Sequence, residues 1–283
     1  MSRVATRSQS SQNTAMQNSA TDPRSESATS RLLSYEQPLN ERVRTFLRLE
    51  YLFERMQHHS SGTKTWDSRA AIDSLLEILA ILTRGDIRSE VMKEMERQNA
   101  VLSRLKDRPN IDAVRLSNVI TSLKVLLDKL DAPDKQLGKD LRENEFLSSI
   151  RHRSSIPGGT CGFDLPILQY WLNQAPEIRQ KKLQNWLDEL EPLRRGVALS
   201  LMLTRESATP TKELAAEGMY QQSLDTSGCQ LVRIQVSPEL RVFPEISGGK
   251  HRFTIRFLES ASADVRPRQT SRDIPFQLIC CQL

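Results

Sequence analysis

Apolar residues recur at three- and four-residue intervals through most of the chain after Ser34, a spacing typical of amphipathic helices. In the first patterned segment the apolar positions are Val43, Phe46, Leu47, Phe53 and Met56. The arginines fall mainly on other sides of the same segment, at Arg42, Arg44, Arg48 and Arg55. This segment therefore predicts a helix with one packed face and one hydrated face.

Capping residues and prolines divide the rest of the helical pattern into segments. We predict helices from after Asp67 to Arg84, from after Asp86 to Asp107, and over 112–130, 138–152, 165–173, 176–190 and 193–206. Asp67 and Asp86 are suitable N-caps, and Gly85 is placed to stop the second helix. The glycines and prolines of 155–166 predict an ordered loop instead of a helix. Trp171 and Trp186 are interpreted as core anchors.

After Ser207 the apolar spacing changes to alternation, which indicates β-strands with one buried face. Three segments alternate clearly, with apolar residues at Val232, Ile234 and Val236, at Phe253, Ile255 and Phe257, and at Phe276, Leu278 and Cys280. Two more strands are predicted over 219–224 and 242–246. The Ser-Gly-Gly-Lys sequence of 247–250 supplies a turn that folds the latter strand onto that of Phe253. A small antiparallel sheet is the expected product.

These patterns predict an α+β fold, in which a mostly helical N-terminal domain of seven or eight helices precedes a small antiparallel β-sheet domain. The expected division is a disordered polar extension over 1–33, a helical domain over 34–206, a linker over 207–217 and a β domain over 218–283. The extension is assigned from its composition, which is rich in Ser, Thr, Gln, Asn and Arg. Arginines with few acids are also typical of a transit peptide, and that alternative stays open.

The overall composition excludes several classes of protein. Hydrophobic residues make up 38% and charged residues 27% of the 283 residues. The most apolar run, 78–82, is far shorter than the ~20 residues of a membrane-spanning helix, and no apolar secretory signal is present. A formal net charge of +5 favours an acidic partner, which would be nucleic acid, an anionic membrane surface or an acidic protein segment.

No residue pattern marks a catalytic or metal site. The glycines of 155–166 lack the Gly-Lys-Ser/Thr of a phosphate loop, and the four histidines have no metal-ligating companion at usable spacing. The four cysteines are expected to be reduced thiols, and of the adjacent Cys280 and Cys281 one is expected in the core and one at the surface. A nucleophilic pair of Cys161 and His152 stays open. We predict no catalytic residue, no metal and no cofactor.

Several cationic residues are grouped in ways that indicate binding. Lys250, Arg252 and Arg256 fall on one face of a predicted strand, over roughly 20 Å at ~3.3 Å per residue, opposite the apolar face. Other groups are Arg84 and Arg88 on either side of Gly85, and Arg142, Arg151 and Arg153 around the predicted helix 138–152. Simple solvation is the alternative interpretation for each of these arginines.

The chain resembles the ZapD family of bacterial cell-division proteins, also known as YacF. The segments that carry the resemblance are YEQPLNERVRTFLRLE at 35–50, RGDIR at 84–88, SIPGGTCGFDLP at 155–166, FPEISGGKHRFTIRF at 243–257 and FQLICC at 276–281. They occur in order and extend from about Ser34 to the end of the chain. Residues 1–33 depart from the family pattern, because the family begins close to the first helix.

The resemblance implies a cytosolic homodimer with an α domain and a β domain, which acts at the midcell division site. It implies binding to FtsZ, the tubulin-like GTPase of the division ring, and bundling of FtsZ filaments. Family members engage the short C-terminal tail of FtsZ through basic residues, and Arg84 and Arg252 match family positions. Arg256 lies on the same strand face, and Lys250, Arg151 and Arg153 are supporting candidates.

Two other classes of protein remain as alternatives. A nucleic-acid-binding protein would agree with the positive charge, but no aromatic strand motif of RNA-binding domains and no recognition-helix pattern is present, so a nucleic-acid partner is not expected. An enzyme whose site assembles only in the fold is the second alternative, with Cys161 and His152 as its candidate residues.

Overall fold

Nine α-helices occupy 41–206 in the part of the chain that the computed structural model describes, which is 32–106, 111–132, 137–224, 228–249, 251–260 and 262–283. They are α1 (Glu41–Ser60), α2 (Thr65–Thr83), α3 (Ile87–Ser103), α4 (Ala113–Asp131), α5 (Lys139–Glu143), α6 (Glu145–Ser154), α7 (Pro166–Leu172), α8 (Pro176–Glu189) and α9 (Glu191–Glu206). Most helices begin and end within a few residues of the predicted bounds, and the α+β fold class is confirmed.

Side-chain caps explain where the helices begin. The Asp86 and Asp112 carboxylates accept hydrogen bonds from Ser89 N and Arg115 N, at 3.0 and 2.9 Å, and so cap α3 and α4. The prediction for α2 was wrong by one turn. That helix starts at Thr65, because Asp67 lies inside its first turn and accepts a hydrogen bond from Lys64 N at 3.2 Å.

Two other predicted bounds also need correction. The predicted helix 138–152 is two helices, because Asn144 has extended backbone and accepts a hydrogen bond from Leu147 N at 3.0 Å, which caps α6. The described helices therefore number nine, against the seven or eight predicted. The third helix ends at Ser103, before the predicted end at Asp107, which lies outside the described residues.

The helical core is built around α2, whose apolar residues are buried over a wide arc of its surface, as predicted. Its main neighbour is α1, while α9 contacts α1, α3 and α4. Trp171 and Trp186 are also core residues, as predicted, with ring centroids 6.2 Å apart. Burial of such large apolar side chains is the main stabilising contribution in this part of the molecule.

Eight strands form two antiparallel sheets in the described residues, where the sequence predicted one. The strands are β1 (Leu33–Pro38), β2 (Thr211–Ala215), β3 (Met219–Ser223), β4 (Leu231–Val236), β5 (Phe243–Gly248), β6 (Arg252–Glu259), β7 (Arg268–Gln269) and β8 (Ile274–Cys281). The first sheet has the order β1-β4-β8-β2. The second has the order β3-β6-β5, and β7 also pairs with β6. The predicted β5–β6 hairpin is present.

Two strands lie outside the predicted β domain. β1 covers Leu33, the last residue of the predicted extension, and continues into the predicted helical domain, while β2 lies in the predicted linker 207–217. Both are edge strands of the first sheet, paired with β4 and β8. Their own apolar alternation is short, so their conformation depends on distant partners that local pattern does not reveal. The rest of the predicted extension, 1–31, lies outside the described residues.

The first sheet lies between the helices and the second sheet. Leu231, Ile279 and Cys281 belong to the helical core, whereas the neighbouring Val232 and Leu278 belong to a second core that both sheets share. Burial on both faces explains why β4 and β8 are the most apolar strands. Cys281 is fully buried, which confirms that one of the adjacent cysteines is a core residue. Cys280 was predicted to lie at the surface, but it is half-buried.

A network of ion pairs joins the helices to the first sheet. Arg205 Nη2 of α9 lies 2.8 Å from Glu36 Oε2 of β1 and 2.6 Å from Glu50 Oε2 of α1. Arg233 Nε of β4 lies 2.8 Å from Glu36 Oε1. Hydrogen bonds with Glu50 and Glu36 raise the pKa of Arg205, although burial opposes the shift. Because the network spans α1, α9, β1 and β4, it fixes the helices and the first sheet relative to each other.

Candidate functional site

The predicted row of cations on β6 is present in the fold. Arg252 and Arg256 are exposed, and Phe253, Ile255 and Phe257 on the opposite face are fully buried. Arg256 follows Arg252 by four positions, which is about 13 Å along the strand. Because the buried face fixes the strand, the two arginines occupy fixed positions; we call them the strand row. Lys250, which was predicted as a third member, lies outside the described residues.

The two guanidinium groups of the strand row differ in their surroundings. Arg256 pairs directly with Glu245, which lies opposite it on β5, and both side chains are half-exposed. Arg252 lies opposite Ser223 on β3, and its side chain has no hydrogen bond or ion pair with any other described residue. A ligand carboxylate would therefore meet Arg252 without competition, but it would compete with Glu245 for Arg256.

Arg84 is the exposed residue that ends α2. Its backbone N–H donates to Ile81 O at 3.1 Å, and its guanidinium has no partner among the described residues. The neighbouring arginines are occupied by local structure, because Arg88 donates to Leu130 O and Arg142 donates to Leu137 O at 2.9 Å. Of the arginines predicted around this corner, Arg84 is the one available to a partner.

A groove runs along α2 towards Arg84 and is bounded by α1 and α6. It has a volume of about 530 Å³ and is lined by Arg55, Ala70, Asp73, Leu76, Glu77, Ala80, Arg151 and Ser154; we call it the α2 groove. Ala80 lies one helical turn before Arg84, so the same side of α2 leads from the groove to Arg84. Arg151 is exposed at the rim, and its one side-chain hydrogen bond with another described residue is to Ser148 Oγ at 3.5 Å.

Two acidic residues moderate the positive charge of the α2 groove. Arg55 of α1 donates to Ser74 Oγ at 2.7 Å and pairs with Glu77 at 2.5 Å. Burial raises the pKa of the Asp73 carboxyl, and the nearby Arg55 and Arg69 oppose that shift. The groove is therefore mixed in charge, since Arg55 and Arg151 line it together with Asp73 and Glu77.

The predicted site residues therefore fall on two surfaces of the chain. Arg84 lies at the end of α2 and Arg151 lies on α6 at the rim of the α2 groove, whereas Arg252 and Arg256 lie on the outer face of the second sheet. Arg153 is exposed in the last turn of α6, and its side chain has no hydrogen bond or ion pair with another described residue. No hydrogen bond or ion pair between described residues links one surface to the other.

Sequence reasoning missed the residues that change the charge of these surfaces, which are Arg55, Asp73 and Glu77 in the α2 groove and Glu245 beside Arg256. The predicted 247–250 turn would have placed Glu245 opposite Arg252, whereas Gly248 pairs with Phe253 and so places Glu245 opposite Arg256. Arg55 offered no local signal either. Its contact with Glu77 joins two helices and depends on how α1 packs against α2.

The enzymatic alternative finds no support in the side-chain contacts. Cys161 Sγ lies 3.5 Å from Asp164 Oδ2, and His152 is exposed on α6 without a hydrogen bond to Cys161. Within 32–283, leaving out the gaps given above, no three His, Cys, Asp or Glu side chains are grouped as metal ligands. None of the helices in those ranges has the length and apolar character needed to cross a membrane.

The fold and its surfaces define an α+β protein that displays two sets of exposed, partly unpaired arginines on rigid elements. A model of the ZapD family, described as a cell division protein, matches residues 47–256. The chain belongs to the ZapD family of cell division proteins, which confirms the resemblance seen in its sequence.

Two relatives resemble the chain over most of its length. The cell division protein ZapD of Methylococcus capsulatus is 43% identical over 250 residues, which is 88% of this chain and 98% of the relative. The cell division protein ZapD of Aromatoleum aromaticum is 41% identical over 252 residues, which is 89% of this chain and 98% of the relative. A role in cell division follows from this membership.

Proposed function

We propose that the protein binds the C-terminal tail of FtsZ and crosslinks FtsZ filaments, so that it promotes assembly of the division ring at midcell in the cytoplasm. The proposal depends above all on one observation. In a chain of the ZapD family, Arg84 and Arg252 are exposed and their guanidinium groups are unpaired among the described residues. They are suited to carboxylates, because a guanidinium presents paired donors that match the two oxygens of a carboxylate.

The two surfaces would contribute unequally to binding of an acidic tail. Arg252 and Arg84 would make the main contacts, and Arg256 would join them once its ion pair with Glu245 exchanges for a tail carboxylate. Arg151 and Arg153 lie on α6 near the α2 groove and would attract the tail at longer range. Lys250 is next to the strand row in sequence and would extend the positive charge. An exposed ion pair contributes only about 0.2–1 kcal/mol, so one tail binds weakly.

Crosslinking requires more than one site on each particle. We propose a homodimer, in which two copies of each surface face many tails along a polymer. Once one tail is bound, the second contact becomes intramolecular, and avidity rises by about 10² to 10⁴ over a single site. Weak individual sites then hold filaments together while each contact still exchanges rapidly.

Removal of the FtsZ tail is expected to abolish co-sedimentation of this protein with FtsZ polymers, because the tail carries the carboxylates that the arginines would bind. The measurement compares pelleted protein with intact and tailless FtsZ, each polymerised with GTP. Binding to intact FtsZ should also weaken with added salt, since exposed charges are screened over about 8–10 Å at physiological ionic strength. Full binding to tailless polymer would move the contact to the globular GTPase and overturn the proposed site.

Replacement of Glu245 by Gln is expected to strengthen tail binding by about two- to fivefold, because it frees Arg256 and an exposed ion pair is worth up to about 1 kcal/mol. Fluorescence anisotropy of a labelled tail peptide measures the dissociation constant. Glu96→Gln is the matched control, since Glu96 is exposed on α3 and the charge change is the same. Equal affinities for Glu245→Gln and wild type, or an equal gain in the control, would exclude Arg256 from the site.

A further inference from the structure

The glycine-rich loop 155–165 between α6 and α7 is ordered, and it belongs to neither arginine surface. Arg69 of α2 donates to Thr160 O at 3.1 Å and so ties the middle of the loop to the helical core. Gly158 has φ +73°, and a Cβ on Gly159 would clash with the backbone of α6. The loop therefore has a fixed shape that depends on its glycines.

The most exposed Phe, Trp and Tyr side chains of the described residues lie on or beside this loop. Phe163 of the loop is 86% exposed, Trp66 of α2 is 76% exposed and Tyr170 of α7 is 72% exposed. Ile156 and Ile167 add further exposed apolar surface; we call these five residues the apolar patch. Single apolar side chains are normal at a protein surface, but a group of this kind marks a contact with another apolar surface.

A small, mostly apolar cavity opens at the edge of the apolar patch. It has a volume of about 160 Å³ and is lined by Trp66, Arg69, Ala70, Ile72, Asp73, Ile150, Thr160 and Leu168. This is several times the roughly 30 Å³ that a water molecule takes up in the liquid, so the cavity has room for part of a large side chain. Phe163 of the same copy does not fill it, since that side chain is almost fully exposed.

A projecting Phe163 beside an unfilled cavity makes this surface complementary to itself. A two-fold symmetric interface requires that property, because the same patch of each copy meets the same patch of the other, so every contact is made twice. Two copies that face each other across the loop would therefore place each Phe163 in the cavity of the other copy, against Trp66. A second copy of the chain thus supplies the side chain that the cavity lacks.

The exposed area is also close to what a stable dimer buries. A whole aromatic side chain carries about 150–250 Å², so Phe163, Trp66 and Tyr170 together expose about 350–600 Å² in each copy. Two copies would bury about 700–1,200 Å² from these side chains alone, against about 1,200–2,000 Å² in a typical stable interface. The isoleucines and the polar rim would supply the remainder.

We propose that the apolar patch is the surface through which two copies of this chain form a homodimer. The inference rests on the proposed function, which requires a homodimer but leaves its interface open. In the dimer, Phe163 of each copy enters the cavity of the other and covers Trp66 there. Arg84 lies at the opposite end of α2, about 27 Å from Trp66 along the helix, so this interface leaves it free for a tail.

Sedimentation equilibrium of the full-length protein should give a dimer for wild type and a monomer for Phe163→Glu and for Trp66→Glu. Each substitution acts twice in a dimer, so the dissociation constant should rise at least about 100-fold. Val114→Glu is the matched control, because Val114 is 71% exposed on α4 and lies outside the patch. The wild-type dimer should also persist in about 1 M salt, since its main contacts are apolar. Thermal unfolding of each variant confirms that it is folded.

Acrylamide quenching of tryptophan fluorescence tests the contact itself. Trp171 and Trp186 are buried in the core, so quenching reports mainly on Trp66. In the wild-type dimer Phe163 of the other copy should shield Trp66, and Phe163→Glu should raise the quenching constant several-fold. A dimer that persists in Phe163→Glu, or a wild-type dimer in which Trp66 is quenched as readily as in that variant, would overturn the interface.

Binding of the labelled FtsZ tail peptide separates this inference from the proposed function. Phe163→Glu should bind one tail with wild-type affinity but should no longer bundle filaments, because it presents one copy of each arginine surface. Failure of both proteins to bind the tail would overturn the proposed function and leave the interface standing. A wild-type monomer would overturn the interface together with the proposed homodimer, and its co-sedimentation with phosphatidylglycerol vesicles would assign the patch to a membrane surface instead.

Discussion

The double variant Arg84→Glu/Arg252→Glu should remain in the supernatant when FtsZ polymers are pelleted, while the wild-type protein pellets with them. Each reversal removes an attraction worth about 0.2–1 kcal/mol and adds a repulsion of similar size, so one tail loses about 1–4 kcal/mol. The loss applies to every tail that a dimer engages, and avidity falls accordingly. Each single reversal should give a partial loss.

The control for this experiment is Lys124→Glu/Lys181→Glu, which replaces the same number of cations by acids. Lys124 and Lys181 are exposed on α4 and α8 and belong to neither arginine surface. Both double variants should unfold within a few degrees of wild type, because none of the four side chains has a partner among the described residues whose loss would cost stability. If both double variants bound FtsZ equally poorly, net charge would account for the loss. If both bound as well as wild type, neither arginine would belong to the site.

Arg205→Met is expected to reduce the free energy of unfolding by about 2–3 kcal/mol, somewhat less than the 3–5 kcal/mol typical of a fully buried pair. Arg205 is 24% exposed, and Glu36 and Glu50 are each 19% exposed. Removal of the guanidinium leaves the poorly hydrated Glu50 carboxylate without its partner and close to Glu36, which keeps Arg233. The melting temperature should fall by about 5–10 °C, at the roughly 2–4 °C per kcal/mol typical of a protein of this size. Urea unfolding followed by circular dichroism measures the change.

Arg115→Met provides the comparison, because Arg115 pairs with Glu206 at 2.8 Å while the side chains are 66% and 49% exposed. It should cost no more than about 0.5 kcal/mol. Adding Glu50→Gln to Arg205→Met should restore part of the lost stability, since it removes one of the two facing carboxylates. Equal costs for Arg205→Met and Arg115→Met would show that the network does not hold the helices and the first sheet together.

Most of the helices could be predicted because the residues that begin and end them lie within or next to each helix. Asp86 and Asp112 cap the helices that follow them, and the prolines at 166, 176 and 192 lie at or next to the first residue of α7, α8 and α9. The misplaced bounds have equally local causes. Asp67 was taken for an N-cap when it serves the capping box of α2, and Asn144 was overlooked as a cap within a helical pattern.

The sheets were harder to predict, because strand pairing is not local. The alternation of β4, β6 and β8 was clear, since each has a face in the second core. β1 has a mostly exposed or half-buried pattern, and its partner β4 lies about 200 residues further along the chain. Nothing near 33–38 indicates that partner, so the strand was assigned to a helical domain.

The same distinction between local and distant partners applies to the candidate site. The strand row could be predicted because it depends only on the period of one strand, and Arg252 and Arg256 do share a face. The α2 groove could not, because Arg55, Glu77 and Arg151 come from three helices whose packing is set by the core. That Arg88 is occupied likewise could not be predicted, because its acceptor, Leu130 O, belongs to another helix.

The pairing of β1 with β4 has a practical consequence for anyone who divides this chain for study. A fragment that starts at 218 omits both outer strands of the first sheet, because β1 and β2 precede that point. Such a fragment would expose the unpaired backbone donors and acceptors of β4 and β8 to solvent. Unpaired strand edges favour pairing between molecules, so the fragment should aggregate. The first sheet is complete only when 33–38 and 211–215 are supplied together with the C-terminal strands.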